Sequence, residues 1–208
     1  MNIKKLTIYC FSGTGNTFHI ASTLRKKFEE ISIPCEFRGI PCETLGKITN
    51  PIIISFPVYA QSAPPLVFEW LSSSPISENI PVGVITSYAS STGLVNSPLK
   101  NILLSKSYQP KAMLELKMPS NYITQKISPN SSETISQAEK KIAIFAEEFV
   151  SGRAQWRKSP RALTHIQKIS SRIFAKIASS LGKKFYADKT LCDKDGLCVD
   201  LCPVGNIV

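Results

Sequence analysis

The residues best suited to do chemistry are small and polar, and they stand together in the segment Phe11-Ser-Gly-Thr-Gly-Asn-Thr17. This segment follows a short apolar run, Lys5–Phe11, and the pattern turns helical from Thr17. Backbone amides at a helix N-terminus bind anions, and glycines let a ligand come close. Further hydrogen-bond donors are available in the side chains of Ser12, Thr14, Asn16 and Thr17. The segment predicts a cradle for one phosphomonoester, and the alternative is a polar turn that only caps the helix.

Two common phosphate motifs are excluded by spacing. A Walker-type loop needs a lysine directly after its last glycine, and none follows Gly15. The dinucleotide fingerprint needs a third glycine at the position that Phe18 occupies. Nucleoside triphosphates and dinucleotides are therefore not the expected ligands.

Two more loops carry an aromatic residue among small ones. Pro57–Pro64 follows the third predicted strand and contains Tyr59, and Ser87–Gly93 follows the fourth and contains Tyr88. In doubly wound sheets of order 2-1-3-4-5, the carboxyl ends of strands 1, 3 and 4 converge where ligands bind. Together with the phosphate loop, these loops predict a pocket for an aromatic ligand with a phosphate tail.

Strand and helix patterns alternate along the chain, which predicts an α/β fold with a parallel sheet of five strands and helices on both faces. The strands are predicted over residues 5–11, 35–40, 51–56, 81–87 and 111–118. The helices are predicted from Thr17, over Pro65–Leu71, from about Gly93 to Leu104 and over Thr134–Ser151. Ser132 is the predicted cap of the last of these helices, and Gly152 is its predicted stop.

Three of the six cysteines lie in the last 18 residues, a clustering that indicates metal or redox chemistry. The run from Cys192 through Cys198 to Cys202-Pro203 follows the bacterial ferredoxin pattern C-x2-C-x2-C-x3-C-P, with Asp195 at the second ligand position. The sequence ends six residues after Cys202, so the second motif of that pattern is not expected. The alternatives are an iron–sulfur cluster and an incomplete half-domain with free thiols, and a zinc site is less favoured because no partner pair follows.

Three motifs, SGTGNT, FPVYAxSAPP and the cysteine tail, give the chain a resemblance to the flavodoxin–ferredoxin fusion proteins of anaerobic bacteria. The resemblance implies a flavodoxin-like sheet of order 2-1-3-4-5, FMN as the ligand and, in the intact pattern, 4Fe-4S clusters. It implies that the phosphate is held by Ser12, Gly13, Thr14, Gly15, Asn16 and Thr17. It also implies that the isoalloxazine ring is flanked by Pro57, Val58, Tyr59, Ala60, Ser87, Tyr88 and Ala89. Relatives tend to be glycine-rich after the fourth strand, where this chain has Ala89-Ser90-Ser91.

The net charge of +10 is concentrated in residues 151–190, which carry ten basic residues and one acidic residue. A helix is predicted between Ser159 and Gly182, with an apolar stripe of Leu163, Ile166, Ile169, Ile173, Ile177 and Leu181. Its basic face consists of Lys168, Arg172 and Lys176. This face is either a solvated surface, a docking surface for an acidic redox partner, or a peripheral contact with anionic lipid. Nucleic-acid binding is not expected because no recognition motif accompanies the charge.

Three units are therefore predicted: a flavodoxin-like domain over 1–153, a basic helical extension over 154–190 and a partial ferredoxin-like motif over 191–208. No run approaches the roughly 20 apolar residues of a membrane-spanning helix, and a cytoplasmic location is expected. Three functions remain open: an electron carrier, an FMN-dependent reductase of a quinone or similar small acceptor, and a flavin-free scaffold or regulatory protein. Hydrolytic catalysis is disfavoured because the two histidines form no recognisable constellation with a nucleophile.

Overall fold

The computed structural model of the chain describes residues 3–41, 48–92, 95–120, 130–156 and 188–207. The predicted basic helix between Ser159 and Gly182 lies outside the described residues, as does its basic face. The division into three units at residues 153 and 190 stays a prediction.

Five parallel strands form one sheet in the order β2-β1-β3-β4-β5, which confirms the predicted doubly wound architecture. Near-continuous apolar runs give these strands because both faces of a parallel sheet are covered by helices. Every residue of Ile52–Phe56 is buried, for example, although Ser55 is polar. The strands are β1 Leu6–Cys10, β2 Cys35–Gly39, β3 Ile52–Pro57, β4 Pro81–Tyr88 and β5 Gln109–Lys117.

The helices pack on the two faces of the sheet and divide the core in two. Alternate strand residues such as Ile53 and Ile85 face one cluster with α1 and α4, whereas Ile52 and Ile54 face the other with α2 and α3. The helices are α1 Asn16–Glu30, α2 Pro65–Ser73, α3 Asn96–Ser105, α4 Ser131–Ser151 and a short α5 Leu197–Asp200. No helix among the described residues is both long and apolar enough to cross a bilayer.

The two ends of α4 test the predicted cap and stop. Gly152 adopts a left-handed conformation with φ of 77° and ends the helix, as predicted. The prediction that Ser132 caps the helix is wrong, because α4 begins at Ser131 and places Ser132 inside the first turn. Asn130 occupies the cap position instead, and its carbonyl accepts hydrogen bonds from the backbone N–H and the hydroxyl of Thr134 at 3.1 and 3.0 Å. Neighbouring polar residues made the two cap positions hard to separate by sequence.

A short segment after α4, Arg153–Trp156, crosses the outer edge of β5, and we call it the strap. The N–H of Met113 donates to the carbonyl of Gln155 at 3.1 Å. Ala154 packs against one core cluster and Trp156 against the other, where its indole N–H donates to the side chain of Asn96. The strap covers part of a sheet edge that would otherwise present an unpaired backbone donor.

Candidate functional site

Backbone hydrogen bonds bring the loops after β1, β3 and β4 side by side at the carboxyl edge of the sheet. The N–H of Phe11 donates to the carbonyl of Ser55 at 2.9 Å, so the β1 ladder continues into the phosphate loop. The N–H of Val58 donates to the carbonyl of Ser87 at 2.8 Å, which joins the next two loops. These are the three loops from which the sequence predicted a pocket, and the strand order places them together.

The phosphate loop, Ser12–Thr17, is held in shape by its own hydrogen bonds. Gly15 lies directly before α1 with φ of 96°, a conformation that glycine adopts without steric cost. The Ser12 hydroxyl oxygen accepts hydrogen bonds from the N–H groups of Gly15 and Phe18 at 3.2 and 3.1 Å. Apart from the residues next to Gly15 in the chain, no atom of the described residues lies within 4 Å of the place where a β-carbon on Gly15 would sit. The described part of the chain therefore leaves open space beside Gly15.

Two side chains of the loop are bonded to the rest of the sheet. The Asn16 side-chain amide donates to the carbonyl of Pro119 at 2.8 Å, which joins α1 to the end of β5. The Thr17 hydroxyl and the Ser87 hydroxyl lie 2.8 Å apart and are both buried. Asn16 and Thr17 were predicted as donors to a phosphate, and in the structure their side chains fix the loop to β4 and β5.

Tyr59 occupies a place that sequence reasoning missed. Tyr59 and Ser62 exchange backbone hydrogen bonds of 2.8 and 2.9 Å around a tight turn in which Ala60 and Gln61 both have positive φ, 47° and 64°. The Tyr59 ring meets the edge of Phe11 with ring centroids 6.5 Å apart. Its hydroxyl oxygen lies only 2.8 Å from the place where a β-carbon on Gly13 would sit. The resemblance implies that Tyr59 flanks the flavin ring, which stays a prediction, and the structure places its hydroxyl against the phosphate loop.

The loops after β1, β3 and β4 contain no charged side chain. Charged residues make up 19% of the chain, so composition alone does not predict that long uncharged segments lie together in space. Lys, Arg, Asp, Glu and His are all missing from residues 9–18, 55–68, 84–92, 95–99 and 118–120. A ligand between these loops therefore meets neutral groups: amides, hydroxyls and the edges of aromatic rings.

The candidate metal ligands in the tail are not brought together. Cys192 and Cys198 are exposed, and Cys202 is partly buried. Among the described residues, no three His, Cys, Asp or Glu side chains are grouped as a metal ion requires. A carboxylate oxygen of Asp195 accepts the N–H of Leu197 at 3.0 Å, and the backbone N–H groups of Val204 and Asn206 lower the pKa of the Cys202 thiol. The residues as arranged do not fit an iron–sulfur cluster.

The fold is flavodoxin-like: five parallel strands in the order 2-1-3-4-5 with flanking helices. A cysteine-to-serine mutant of flavodoxin from Pseudomonas aeruginosa matches at a TM-score of 0.50 and 16% identity, over 71% of this chain and 97% of that one. The flavodiiron protein from Giardia intestinalis matches at 0.50 and 14%, over 72% of this chain and 37% of that one. A flavodoxin from the domain Archaea matches at 0.49 and 14%, over 70% and 98%. At such identities the likeness shows the fold alone.

Comparison by sequence gives no family assignment: no protein-family model matches the chain, and no curated protein matches it. The site is therefore interpreted from its own residues.

Proposed function

We propose that the protein binds FMN at the carboxyl edge of the sheet and acts as an electron-transfer protein. The observation that carries the proposal is the phosphate loop, which its own hydrogen bonds hold in shape beside the tyrosine-bearing segments at the ends of β3 and β4, at the switch point of a flavodoxin-like sheet. The flavodoxins among the matched structures support the same proposal by their fold.

The residues present fit the phosphate of FMN. The first-turn N–H groups of Asn16 and Thr17 have no partner within the helix, because the first helical turn lacks acceptors. They point out of the N-terminus of a helix of 15 residues, where the helix dipole favours an anion. The Ser12 hydroxyl accepts two amides and retains its own hydrogen to donate. The open space beside Gly15 leaves room for the phosphate.

The loops after β3 and β4 fit an aromatic ring. Pro57–Ala60 and Ser87–Ala89 run side by side through the Val58–Ser87 hydrogen bond, and in both an alanine directly follows the tyrosine. FMN, when bound, accepts and returns one or two electrons. The protein's own residues bind the phosphate, orient the ring and shield it from water. The loops after β1, β3 and β4 offer no Asp, Glu, His, Lys or Arg, so an electron carrier is favoured over a catalyst that uses a general acid or base from these loops.

The direct test is a titration of the purified protein with FMN, followed by quenching of flavin fluorescence. We expect saturable binding of FMN and weaker binding of riboflavin, which lacks the phosphate. Reduction and reoxidation of the bound flavin would then be followed by absorption. Absence of FMN binding at millimolar flavin would refute the proposal and favour a flavin-free scaffold. Rapid turnover of NAD(P)H with a quinone would favour a reductase instead of a carrier.

A further inference from the structure

We propose that the Tyr59 hydroxyl donates a hydrogen bond to the phosphate and so makes the site selective for a phosphorylated ligand. The hydroxyl can reach the phosphate loop because Gly13 has no side chain. The inference rests on the proposed function, because it concerns the phosphate of FMN. The loops after β1, β3 and β4 contain no Lys, Arg or His, so what they contribute to recognition of a doubly charged phosphate comes from neutral donors. The number and placement of those donors then decide the selectivity of the site for a phosphorylated ligand.

The loop's own donors are partly committed. The N–H groups of Gly15 and Phe18 already donate to Ser12. The Asn16 amide donates to Pro119, and the Thr17 hydroxyl is paired with Ser87. A hydrogen-bond donor from another element would therefore add to the few loop donors that are left for a phosphate.

Tyr59 supplies such a donor from the loop after β3. Its hydroxyl oxygen lies 2.8 Å from the position of a β-carbon on Gly13, closer than real β-carbons approach an oxygen. Any larger residue at position 13 would displace the hydroxyl. Gly13 does not have a positive φ, unlike Gly15, so its backbone conformation does not require glycine. The feature that does require glycine there is the close approach of Tyr59.

Two features hold the tyrosine in this place. Its ring meets that of Phe11 edge to face, and the two backbone hydrogen bonds between Tyr59 and Ser62 fix the turn that follows it. A tyrosine phenol is protonated at neutral pH, and burial raises the pKa of the Tyr59 phenol further above its usual value. A protonated phenol is a donor to phosphate oxygen.

The test is a double-mutant cycle with Tyr59→Phe and Gly13→Ala, read as dissociation constants for FMN and for riboflavin. Tyr59→Phe removes one oxygen and keeps the ring, and we expect it to weaken FMN binding about tenfold and riboflavin binding less than about twofold. Gly13→Ala in the natural background should have the same effect, because the new methyl group displaces the hydroxyl. In the Tyr59→Phe background, Gly13→Ala should cost less than about twofold, since the space is already vacant.

Tyr88→Phe is the matched control, because Tyr88 lies in the ring-flanking loop and not against Gly13. It should change the affinities for FMN and riboflavin by the same factor. Equal losses for the two flavins in Tyr59→Phe, or a Gly13→Ala penalty that persists in that background, would overturn the inference while leaving FMN binding intact. Failure of the unaltered protein to bind FMN would instead overturn the proposed function. If Gly13→Ala does not fold, the ratio of the two affinities in Tyr59→Phe decides alone.

Discussion

At the scale of single residues, Gly13 and Gly15 are glycines for different physical reasons. Gly15 has a φ of 96°, where side chains other than glycine are strained, although no neighbouring atom would touch a β-carbon there. Gly13 has an ordinary φ, and a β-carbon there would meet the Tyr59 hydroxyl. The same residue type therefore serves backbone conformation at one position and close packing at the other.

Replacement of Gly15 by valine should abolish FMN binding. A β-branched residue is strained at this φ and fills the open space next to the first-turn amides. We expect the dissociation constant to rise more than about a hundredfold, measured by fluorescence titration. Gly39→Ala is the control, because a β-carbon on Gly39 would meet nothing within 4 Å and its φ is not positive. Unchanged affinity in Gly15→Val would show that the phosphate binds elsewhere.

The buried pair of Thr17 and Ser87 gives a prediction about stability. Thr17→Val removes the hydroxyl and leaves that of Ser87 buried without this partner. We expect the free energy of unfolding to fall by about 1–3 kcal/mol, measured by urea denaturation. Thr17→Ser keeps the hydroxyl and should lose less than the valine variant. Unchanged stability in Thr17→Val would show that the hydrogen bond to Ser87 does not stabilise the fold.

At the scale of elements, the tight turn after β3 holds two non-glycine residues with positive φ, Ala60 and Gln61. Such conformations cost roughly 1–2 kcal/mol per residue for L-amino acids. Ala60→Gly removes one of these costs and also loosens the unfolded chain, so the net gain in stability should be about 1 kcal/mol or less. Thermal denaturation measures the change, with Ala89→Gly in the next loop as the control, since Ala89 does not have a positive φ. A lower melting temperature in Ala60→Gly would show that the alanine methyl group makes a stabilising contact.

The elements were predictable where their pattern is local. Ile52–Pro57 and Pro81–Tyr88 are near-continuous apolar runs, and buried parallel strands require such runs. The partners of the phosphate loop were not predictable, because Asn16 bonds to Pro119 and Thr17 to Ser87 across 103 and 70 residues of sequence. The fold brings the Tyr59 hydroxyl near Gly13, and no spacing in the sequence predicts that contact. Sequence therefore predicted which loops meet but not which side chains fix them together.

At the scale of the whole molecule, the charges and the proposed site are separated along the chain. Ten of the 25 basic residues lie in residues 151–190, whereas the loops after β1, β3 and β4 contain none. Recognition of FMN by neutral donors and recognition of a partner by charge would then depend on different residues. An acidic redox protein that docks on the basic residues remains a proposal.

Reversal of the charges of Lys168, Arg172 and Lys176 to glutamate separates these two dependences. FMN affinity should change less than about threefold, because local neutral donors hold the phosphate. Electron transfer from an acidic ferredoxin-type donor should slow and become less sensitive to salt, measured by stopped-flow absorption between low and high ionic strength. Exchange of these residues for glutamine should give an intermediate rate. Equal rates in all three proteins would assign the basic face to solvation alone.

The strap over β5 has a consequence in mechanical terms. After α4 the chain is held on the sheet by Gln155, whose carbonyl accepts from the N–H of Met113, and by Trp156, whose indole N–H donates to Asn96. A pull on the residues that follow is therefore carried first by this hydrogen bond and this indole ring. The Met113 contact lies midway along β5, away from the phosphate loop. Tension applied to the later part of the chain would act on the strap before it could distort the loops at the carboxyl edge of the sheet.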